Sequence, residues 1–489
     1  MSRFNQTAPT TTKTTNLAGG VAYTQTPELE LVSLLLTSFA NDTFYEKAET
    51  KFDRLKKLIG ECDKQFAAKA IVYARIKFGM RSITHVAASE LAKHVTGQDW
   101  AKGFFSSVVY RVDDMSEILS YHFSKKEKMS AAMKKGFAKA FDKFDQYSLA
   151  KYRSEGKQVK LVDIVNLVKP VATDRNAEAL RLLVKNELKS VDTWESKLSS
   201  AGKVARSEDE KVELKGKAWA DMISSKQLKY MALVKNLRNI IEQAPNSVPA
   251  AVQMLVDPAE IKKSLLLPFR FLTAYEEIEK LGAGQVVRAV LIGLSKALEI
   301  SVSNVPVFEG NTLVVLDTSS SMRGYHGQMG NKSPHIIGSI FAAALVKANN
   351  CDMMTFDTDA RYVKFNPLDT LHTIAHKMVF NGGGTNFLSI FQSMTQKYDR
   401  IIILSDMQGW MNTQHWYGVT PNAALNHYKE RFKVNPFLYS FDLQNYGSMQ
   451  FPESNVFCVA GFSDKVFDIM KLLETDKKAL INEINKINL

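Results

Sequence analysis

The stretch Leu313-Val314-Val315-Leu316-Asp317-Thr318-Ser319-Ser320-Ser321-Met322 constrains the rest of the chain more than any other. Four apolar residues in a row, two of them β-branched, read as a fully buried strand. The run ends abruptly in an acid and a cluster of hydroxyls. Asp317, Ser319 and Ser321 are therefore placed at the carboxyl end of a strand, where open α/β sheets bind ligands. Spaced D-x-S-x-S, they present oxygen ligands to one hard cation. Few charges and several neutral oxygens suit Mg²⁺ better than an all-carboxylate Ca²⁺ cage.

Two later segments fit the same picture. Phe380-Asn381-Gly382-Gly383-Gly384-Thr385-Asn386-Phe387 is a glycine-rich turn that delivers Thr385 at the start of a helix. Ile401-Ile402-Ile403-Leu404-Ser405-Asp406 is a second buried strand ending in an acid. These five positions, in this order, resemble the metal-ion-dependent adhesion site of von Willebrand factor A domains. The resemblance implies that Asp317, Ser319 and Ser321 are direct or water-mediated ligands. It implies that Thr385 joins or leaves the shell with ligand state, and that Asp406 holds waters. The alternative reading is a serine cluster capping a helix beside an ordinary buried Asp. A strand-end Asp also carries the nucleophile of some phosphatases, in a D-x-D pattern. Here Ser319 takes the second position, and no base is placed for Ser319 or Ser321. A metal site without a nucleophile–base pair favours binding over catalysis. Trp410, Trp416 and Tyr417 follow Asp406 in an aromatic loop that shapes the ligand surface or packs beneath it.

The 489 residues suffice for two to four domains, and 45% apolar residues are ample for ordinary cores. Cys62, Cys351 and Cys458 are widely spaced without a CxxC pattern, which implies a reducing compartment. The first residues carry no hydrophobic signal region, and no run of about 18 apolar residues predicts a membrane span. A cytoplasmic protein is expected, which argues against an adhesion role. The net charge of +12 is unevenly placed: residues 309–489 hold 16 basic and 16 acidic side chains, the first 308 residues 47 and 35. A localised basic excess points to a polyanion, chiefly nucleic acid. A generally lysine-rich soluble surface is the bland alternative.

In chain order, 1–22 reads as a flexible N-terminal segment. From Thr26-Pro27-Glu28, a helix start with Pro in the first turn, the pattern is helical for about 275 residues. Short helices in succession predict an α-solenoid of degenerate, HEAT-like repeats over 23–308. Lys203 to Lys217, the most charged run, reads as a solvated helix start. Beyond a linker at Val302–Gly310, strands near 312–317, 351–356, 361–364, 400–405, 434–441 and 455–459 alternate with helices. This is a doubly wound α/β domain over 309–475. Residues 476–489 read as an amphipathic segment packing back on the helical part.

The helical half contains Asn16-Leu17-Ala18-Gly19-Gly20, Ala70-Ile71-Val72-Tyr73-Ala74-Arg75, Val109-Tyr110-Arg111-Val112-Asp113-Asp114, Met231-Ala232-Leu233-Val234-Lys235-Asn236-Leu237-Arg238-Asn239 and Leu267-Pro268-Phe269-Arg270. Their order and spacing resemble the TROVE domain of Ro ribonucleoproteins. TROVE followed by a von Willebrand A domain is that family's architecture, so the resemblance spans nearly the whole chain. Small size and divergence from animal sequences lean toward a bacterial or phage-borne member. The resemblance implies a ring of helical repeats bridged by the A domain, and a monomeric protein. It implies a small noncoding Y RNA on the basic outer face. It implies a central hole that takes single-stranded 3′ ends of misfolded or structured RNAs, with an exoribonuclease receiving them. The chain would be a binding scaffold, not an enzyme, acting in small-RNA quality control or storage.

From the residues themselves, Lys and Arg on one face supply salt-dependent phosphate affinity, and aromatic groups near a hole take single-stranded bases. The candidates are Arg81, His85, Arg111, Lys169, Arg175, Lys235, Asn236, Arg238 and Arg270. Each alone also reads as a surface or capping residue, and His85 as a satisfied core histidine. Lys235-Asn236-Leu237-Arg238 sets polar groups in an otherwise apolar helix, where a buried one needs a partner. One departure concerns Lys169, before Pro170, where relatives commonly carry a histidine associated with RNA binding. Lysine keeps a phosphate contact as a point charge and loses stacking. Two further functions compete: a metal-dependent protein–protein module in which a partner's acidic side chain completes the Mg²⁺ shell, and a phosphohydrolase at Asp317.

Overall fold

A computed structural model describes residues 13–16, 21–24, 26–37, 48–153, 156–189, 191, 193–323, 333–349, 351–409, 421–443, 448–449, 456–460, 470, 474 and 479–489. Trp410, Trp416 and Tyr417 lie outside the described residues, as does most of 1–22.

Helices follow one another from Pro27–Thr37 to Gln285–Ser301. Their starts are written locally. Asp63 caps Lys64–Lys77 by accepting from the Phe66 amide at 2.8 Å, and Ser130 caps Ala131–Ala140 by accepting from Met133 N at 3.1 Å. Helices Gln146–Lys151 and Trp194–Val204 complete the succession.

The array has two cores. The first runs from Leu31 through Leu188 and takes in Ile484. The second starts at Trp219 and continues without a break through Leu298 into the sheet of the α/β domain, at Val314, Leu316, Ile402, Leu404, Tyr439 and Phe441. Between them, helix Trp194–Val204 buries no side chain completely; its Trp194 stacks on Trp219 at 6.0 Å.

The α/β sheet is assembled from β3 (Thr312–Asp317), β4 (Asp352–Phe356), β5 (Ala360–Tyr362), β6 (Arg400–Ser405), β7 (Phe437–Asp442) and β9 (Val456–Ala460), in the order β5-β4-β3-β6-β7-β9. All neighbours are parallel except β4 and β5. Every residue of β3 and of β6 is buried. A parallel strand covered on both faces needs apolar residues on both, which is why these two read as continuous apolar runs. On the far face Leu313, Val315, Phe356, Ile401 and Ile403 pack with Phe387, Phe391 and Tyr428.

The helical array closes into a ring through this domain. Helix Pro27–Thr37 packs against β9, and helix Pro268–Glu279 packs against helix Pro334–Asn349, so the α/β domain touches both ends of the array. Helix Ala479–Asn485 then returns to the first block, where Ile484 is buried and Lys69 Nζ donates to the Asn485 carbonyl at 2.7 Å. Of the segment read as flexible, the described residues 13–15 and 21–22 are strand. β1 (Lys13–Thr15) and β2 (Val21–Thr24) form an antiparallel pair that continues into β8 (Ser448–Met449). Asn16 donates to the Gly409 carbonyl at 2.7 Å. Threonine-rich residues at 13–15 suit an edge strand once a distant partner is present.

Candidate metal centre and nucleic-acid interface

The register of the sheet positions the candidate metal ligands. Leu316 faces Thr355 and Leu404, and Ser405 faces Asp442. The strand ends therefore set four acids side by side: Asp317, Asp357, Asp406 and Asp442, each at most 5% exposed. Asp317 Oδ1 accepts from the Ser319 amide at 2.8 Å, and its Oδ2 accepts from Ser405 Oγ at 2.5 Å. The hydroxyls of Ser319 and Ser321 stand 3.3 Å apart. Asp406 Oδ1 accepts from the Gln408 amide at 3.2 Å, while Oδ2 is buried with no hydrogen-bond partner.

Burial, then the charge of Asp406, pushes the Asp317 carboxyl above the usual carboxylate range. Burial does the same to Asp406; the Ser321 hydroxyl opposes it and the charge of Asp442 adds to it. Two buried acids in contact range do not both ionise without a counter-charge. An orphaned carboxylate oxygen, two converging hydroxyls and excess negative charge are the donor set of a hard divalent cation. Asp317, Ser319, Ser321 and Asp406 fit such an ion. Among the described residues no three His, Cys, Asp or Glu side chains stand ready as a carboxylate, imidazole or thiolate cage.

Thr385 is buried and reaches this edge on the glycine turn. The turn is fastened to the end of β3: Ser320 N donates to Gly383 O at 3.0 Å, Gly382 N donates to Thr318 O at 2.9 Å, and Ser320 Oγ donates to Gly382 O. Gly382 sits at φ +74°, and a Cβ on Gly383 would meet Thr358 Oγ1 at 2.9 Å. The residue that organises the turn is Asp357, which the sequence reading missed. It accepts from Thr318 Oγ1 at 3.0 Å, Asn381 Nδ2 at 2.7 Å, Thr358 N at 2.7 Å and the Arg361 guanidinium. Burial alone would raise its carboxyl; these hydrogen bonds and the charge of Arg361 outweigh it and hold it low. The signal was an acid directly after a buried strand, the pattern that identified Asp406.

Of the nucleic-acid candidates, the structure brings Arg81, His85 and Arg111 together around Asp113 and Asp114. Asp114 is fully buried and accepts from Arg75 Nε at 3.0 Å, Arg75 Nη2 at 2.9 Å, and the amides of Tyr110 and Arg111 at 2.9 and 2.8 Å. His85 Nε2 stands 2.9 Å from the same carboxylate. Burial would raise the Asp114 carboxyl; His85 and the charge of Arg75 overcome it and bring it down to about 2. His85 is thus a buried partner of Asp114 and presents no surface to a ligand. Arg81 and Arg111 are anchored from one side by Asp113, at 2.6 and 3.0 Å, and stay about one-third exposed.

Beside them lie aromatic residues absent from the candidate set. Tyr110 is 58% exposed and Tyr147 50%. Arg111 stacks over Tyr152 at 4.3 Å, Lys151 reaches both Tyr147 and Tyr152, and Arg75 lies over Tyr110 at 5.3 Å. Tyrosines at 110, 147 and 152 flanking Arg111 and Lys151 were the available signal.

The remaining candidates lie on other elements of the helical array. Lys169 is exposed at φ +49° where helix Leu161–Val168 ends, and Arg175 is exposed on the loop that follows. That loop is held by Asn176, which accepts from Thr173 N and donates to Phe141 O, both at 2.9 Å. Lys235 and Arg238 are exposed, and Arg238 pairs with Glu242 at 2.8 Å. Asn236 is buried, but donates to the Ala232 carbonyl at 2.9 Å and accepts from Asn239 at 3.0 Å. The buried amide side chain of this helix does have its partners, and the helix itself supplies them. Arg270 is exposed.

Residues 184–292 match the TROVE domain. That match covers the Lys235–Arg270 segments quoted above and part of the helical ring. Over 90% of its length the chain is similar to the crystal structure of the Deinococcus radiodurans Ro protein, covering 99% of that chain with a TM-score of 0.62 at 18% identity. At that identity the likeness establishes the fold: a helical ring joined to an α/β domain of the von Willebrand A kind. The chain is also 22% identical over 343 residues to mouse telomerase protein component 1, a match covering 53% of this chain and 13% of that protein. The chain therefore spans about one-eighth of that relative's length. No described helix is long and apolar enough to cross a membrane.

Proposed function

We propose that this chain is an RNA-binding ribonucleoprotein scaffold. The observation that carries the reading is the cluster of Tyr110, Arg111, Tyr147, Lys151 and Tyr152: two exposed rings and one half-buried ring interleaved with cations, on the part of the chain that holds the basic excess. Such rings stack bases regardless of sequence, while Arg81, Arg111 and Lys151 neutralise phosphates. The TROVE match and the Ro fold support it. In finer form, the basic face of the ring takes a small structured RNA of the Y type, and Lys169 and Arg175 contribute phosphate contacts. The ring's opening takes single-stranded ends of structured or misfolded RNA, which an exoribonuclease then receives. The chain itself holds RNA and does not turn it over.

Native purification followed by extraction and sequencing of the co-purifying nucleic acid tests this. One abundant small structured RNA, displaced by salt, is expected. Clean protein that binds no cellular RNA at low salt overturns the reading. Arg111→Ala with Lys151→Ala should weaken single-stranded RNA binding by tenfold or more and flatten its salt dependence, because fewer counterions are then released.

A second role is favoured by one observation, the orphaned Asp406 Oδ2. In our reading Asp317, Ser319, Ser321, Thr385 and Asp406 hold Mg²⁺, which supplies a Lewis-acidic position for a carboxylate from a protein partner. Capture of that partner would be lost on chelation or in Asp317→Ala, while RNA binding persists.

A further inference from the structure

The seam between the helical ring and the α/β domain carries a histidine pair that neither role above uses. Helix Leu371–His376 is pinned by Leu371, Ile374 and Ala375, which are buried in the shared core, and by the Leu371 amide donating to Glu299 Oε1 at 2.5 Å. Its other face presents His372 and His376, one turn apart and both exposed. Their Nε2 atoms stand 3.0 Å apart with the rings at 89°. Across the seam, the ring of Tyr275 lies 5.9 Å from His372, and the charges of Glu279 and Glu276 on the same ring helix act on it. Lys377, the nearest cation in sequence, is engaged by Asp369 at 2.8 Å.

We infer that His372 and His376 form a site for a divalent first-row transition metal, completed by a carboxylate of Glu276 or Glu279, so that the bound ion joins the ring to the α/β domain. Imidazole nitrogens on adjacent turns of one helix are a preformed chelate. With metal–nitrogen bonds of about 2.05 Å, a 3.0 Å separation subtends roughly 94° at the ion. That is the cis angle of square-planar or octahedral coordination and is narrower than tetrahedral, which favours Cu²⁺ or Ni²⁺. Two ligands are in place; the third is assigned to the facing helix Pro268–Glu279, whose Tyr275 ring already lies against His372. Mg²⁺ takes oxygen ligands and does not compete at imidazole.

Titrating the full chain with Ni²⁺ in excess Mg²⁺, by calorimetry, tests the site, together with electron paramagnetic resonance of the Cu²⁺ form. One equivalent is expected, with splitting from two nitrogens. His372→Ala and His376→Ala should each weaken binding tenfold or more, and His427→Gln should leave it unchanged. The double variant Glu276→Gln/Glu279→Gln should weaken it severalfold and abolish the rise in thermal midpoint that Ni²⁺ produces. Equal affinity in the wild type and the histidine variants overturns the site. An unchanged affinity and an unchanged thermal response in the double glutamate variant overturn the bridge. All four positions lie at the surface of the seam, so circular dichroism of the metal-free variants serves as the folding control.

Discussion

Asp406 shows what one buried atom costs and what would relieve it. Its Oδ2 has no hydrogen-bond partner, and its neighbours Asp317 and Asp442 are acids. Asp406→Asn removes one charge at nearly constant volume. In chelator the variant should melt at or above the wild-type temperature, and its midpoint should no longer rise with Mg²⁺. A wild type insensitive to millimolar Mg²⁺, or a variant that still responds, contradicts the assignment. Asp114 is the opposite case, a buried acid with every lone pair engaged. Asp114→Asn leaves Arg75, itself only 2% exposed, without its counter-charge and should cost about 3–5 kcal/mol. The pH dependence follows from its depressed carboxyl. The native state binds this proton less readily than the unfolded chain, so the stabilisation is present above about pH 4 and is lost as pH falls toward the folded value of about 2. Wild type and Asp114→Asn should therefore converge in stability between about pH 4 and pH 2, which denaturant titrations at several pH values would reveal.

At the scale of elements, close approach does the selecting. Helices Ala101–Val108 and Ala131–Ala140 meet at Gly136, where a Cβ would stand 2.5 Å from Phe105 Cβ and 2.6 Å from the Lys102 carbonyl. Gly136→Ala should destabilise the chain by about 1–3 kcal/mol in urea unfolding, without a change in RNA affinity at temperatures where the protein stays folded. At the glycine turn, Gly383→Ala has nowhere to put its methyl except against Thr358 and Asp357. That turn carries Thr385, so the variant should keep its fold and lose much of the Mg²⁺ response. The strands were legible because both faces of β3 and β6 are covered, and so was the first helix start, where the Thr26 hydroxyl accepts from the Leu29 amide at 3.4 Å. The placement of the candidates was less legible. His85 pairs with an acid 29 residues on, and Asn236 is satisfied within its own helix; nothing in a linear pattern separates those outcomes from exposure.

For the whole molecule, the shared core matters most. Side chains from Trp219 to Leu298 and from one face of the sheet belong to one continuous apolar cluster. The α/β domain should therefore exchange its amide protons together with the helices between 208 and 301, and separately from the first block of helices. Hydrogen exchange read by mass spectrometry would show this; protection in the sheet outlasting that of the adjoining helices would contradict it. The first block is held to the rest by the returning segment 479–489. There Leu489 lies against Gly103 so closely that a Cβ would meet its carbonyl carbon at 2.1 Å. Gly103→Ala should loosen residues 486–489 and raise their exchange, leaving the sheet unaffected.

By itself the amino-acid sequence determined what depends on neighbours along the chain. It set the helical and strand periods, the caps, the acid and hydroxyls that end β3, the glycine turn, and the uneven charge. It also carried enough of this order to resemble a family whose TROVE domain matches residues 184–292. Tertiary structure alone decided what depends on register and closure. It ranged four strand-end acids along one edge. It turned His85 inward and left Tyr110 outward, and it brought His372 beside Tyr275 across a seam. The physical reason is that burial, charge pairing and shared cores are set by distance in space, and the residues that meet here are tens to hundreds of positions apart in the chain.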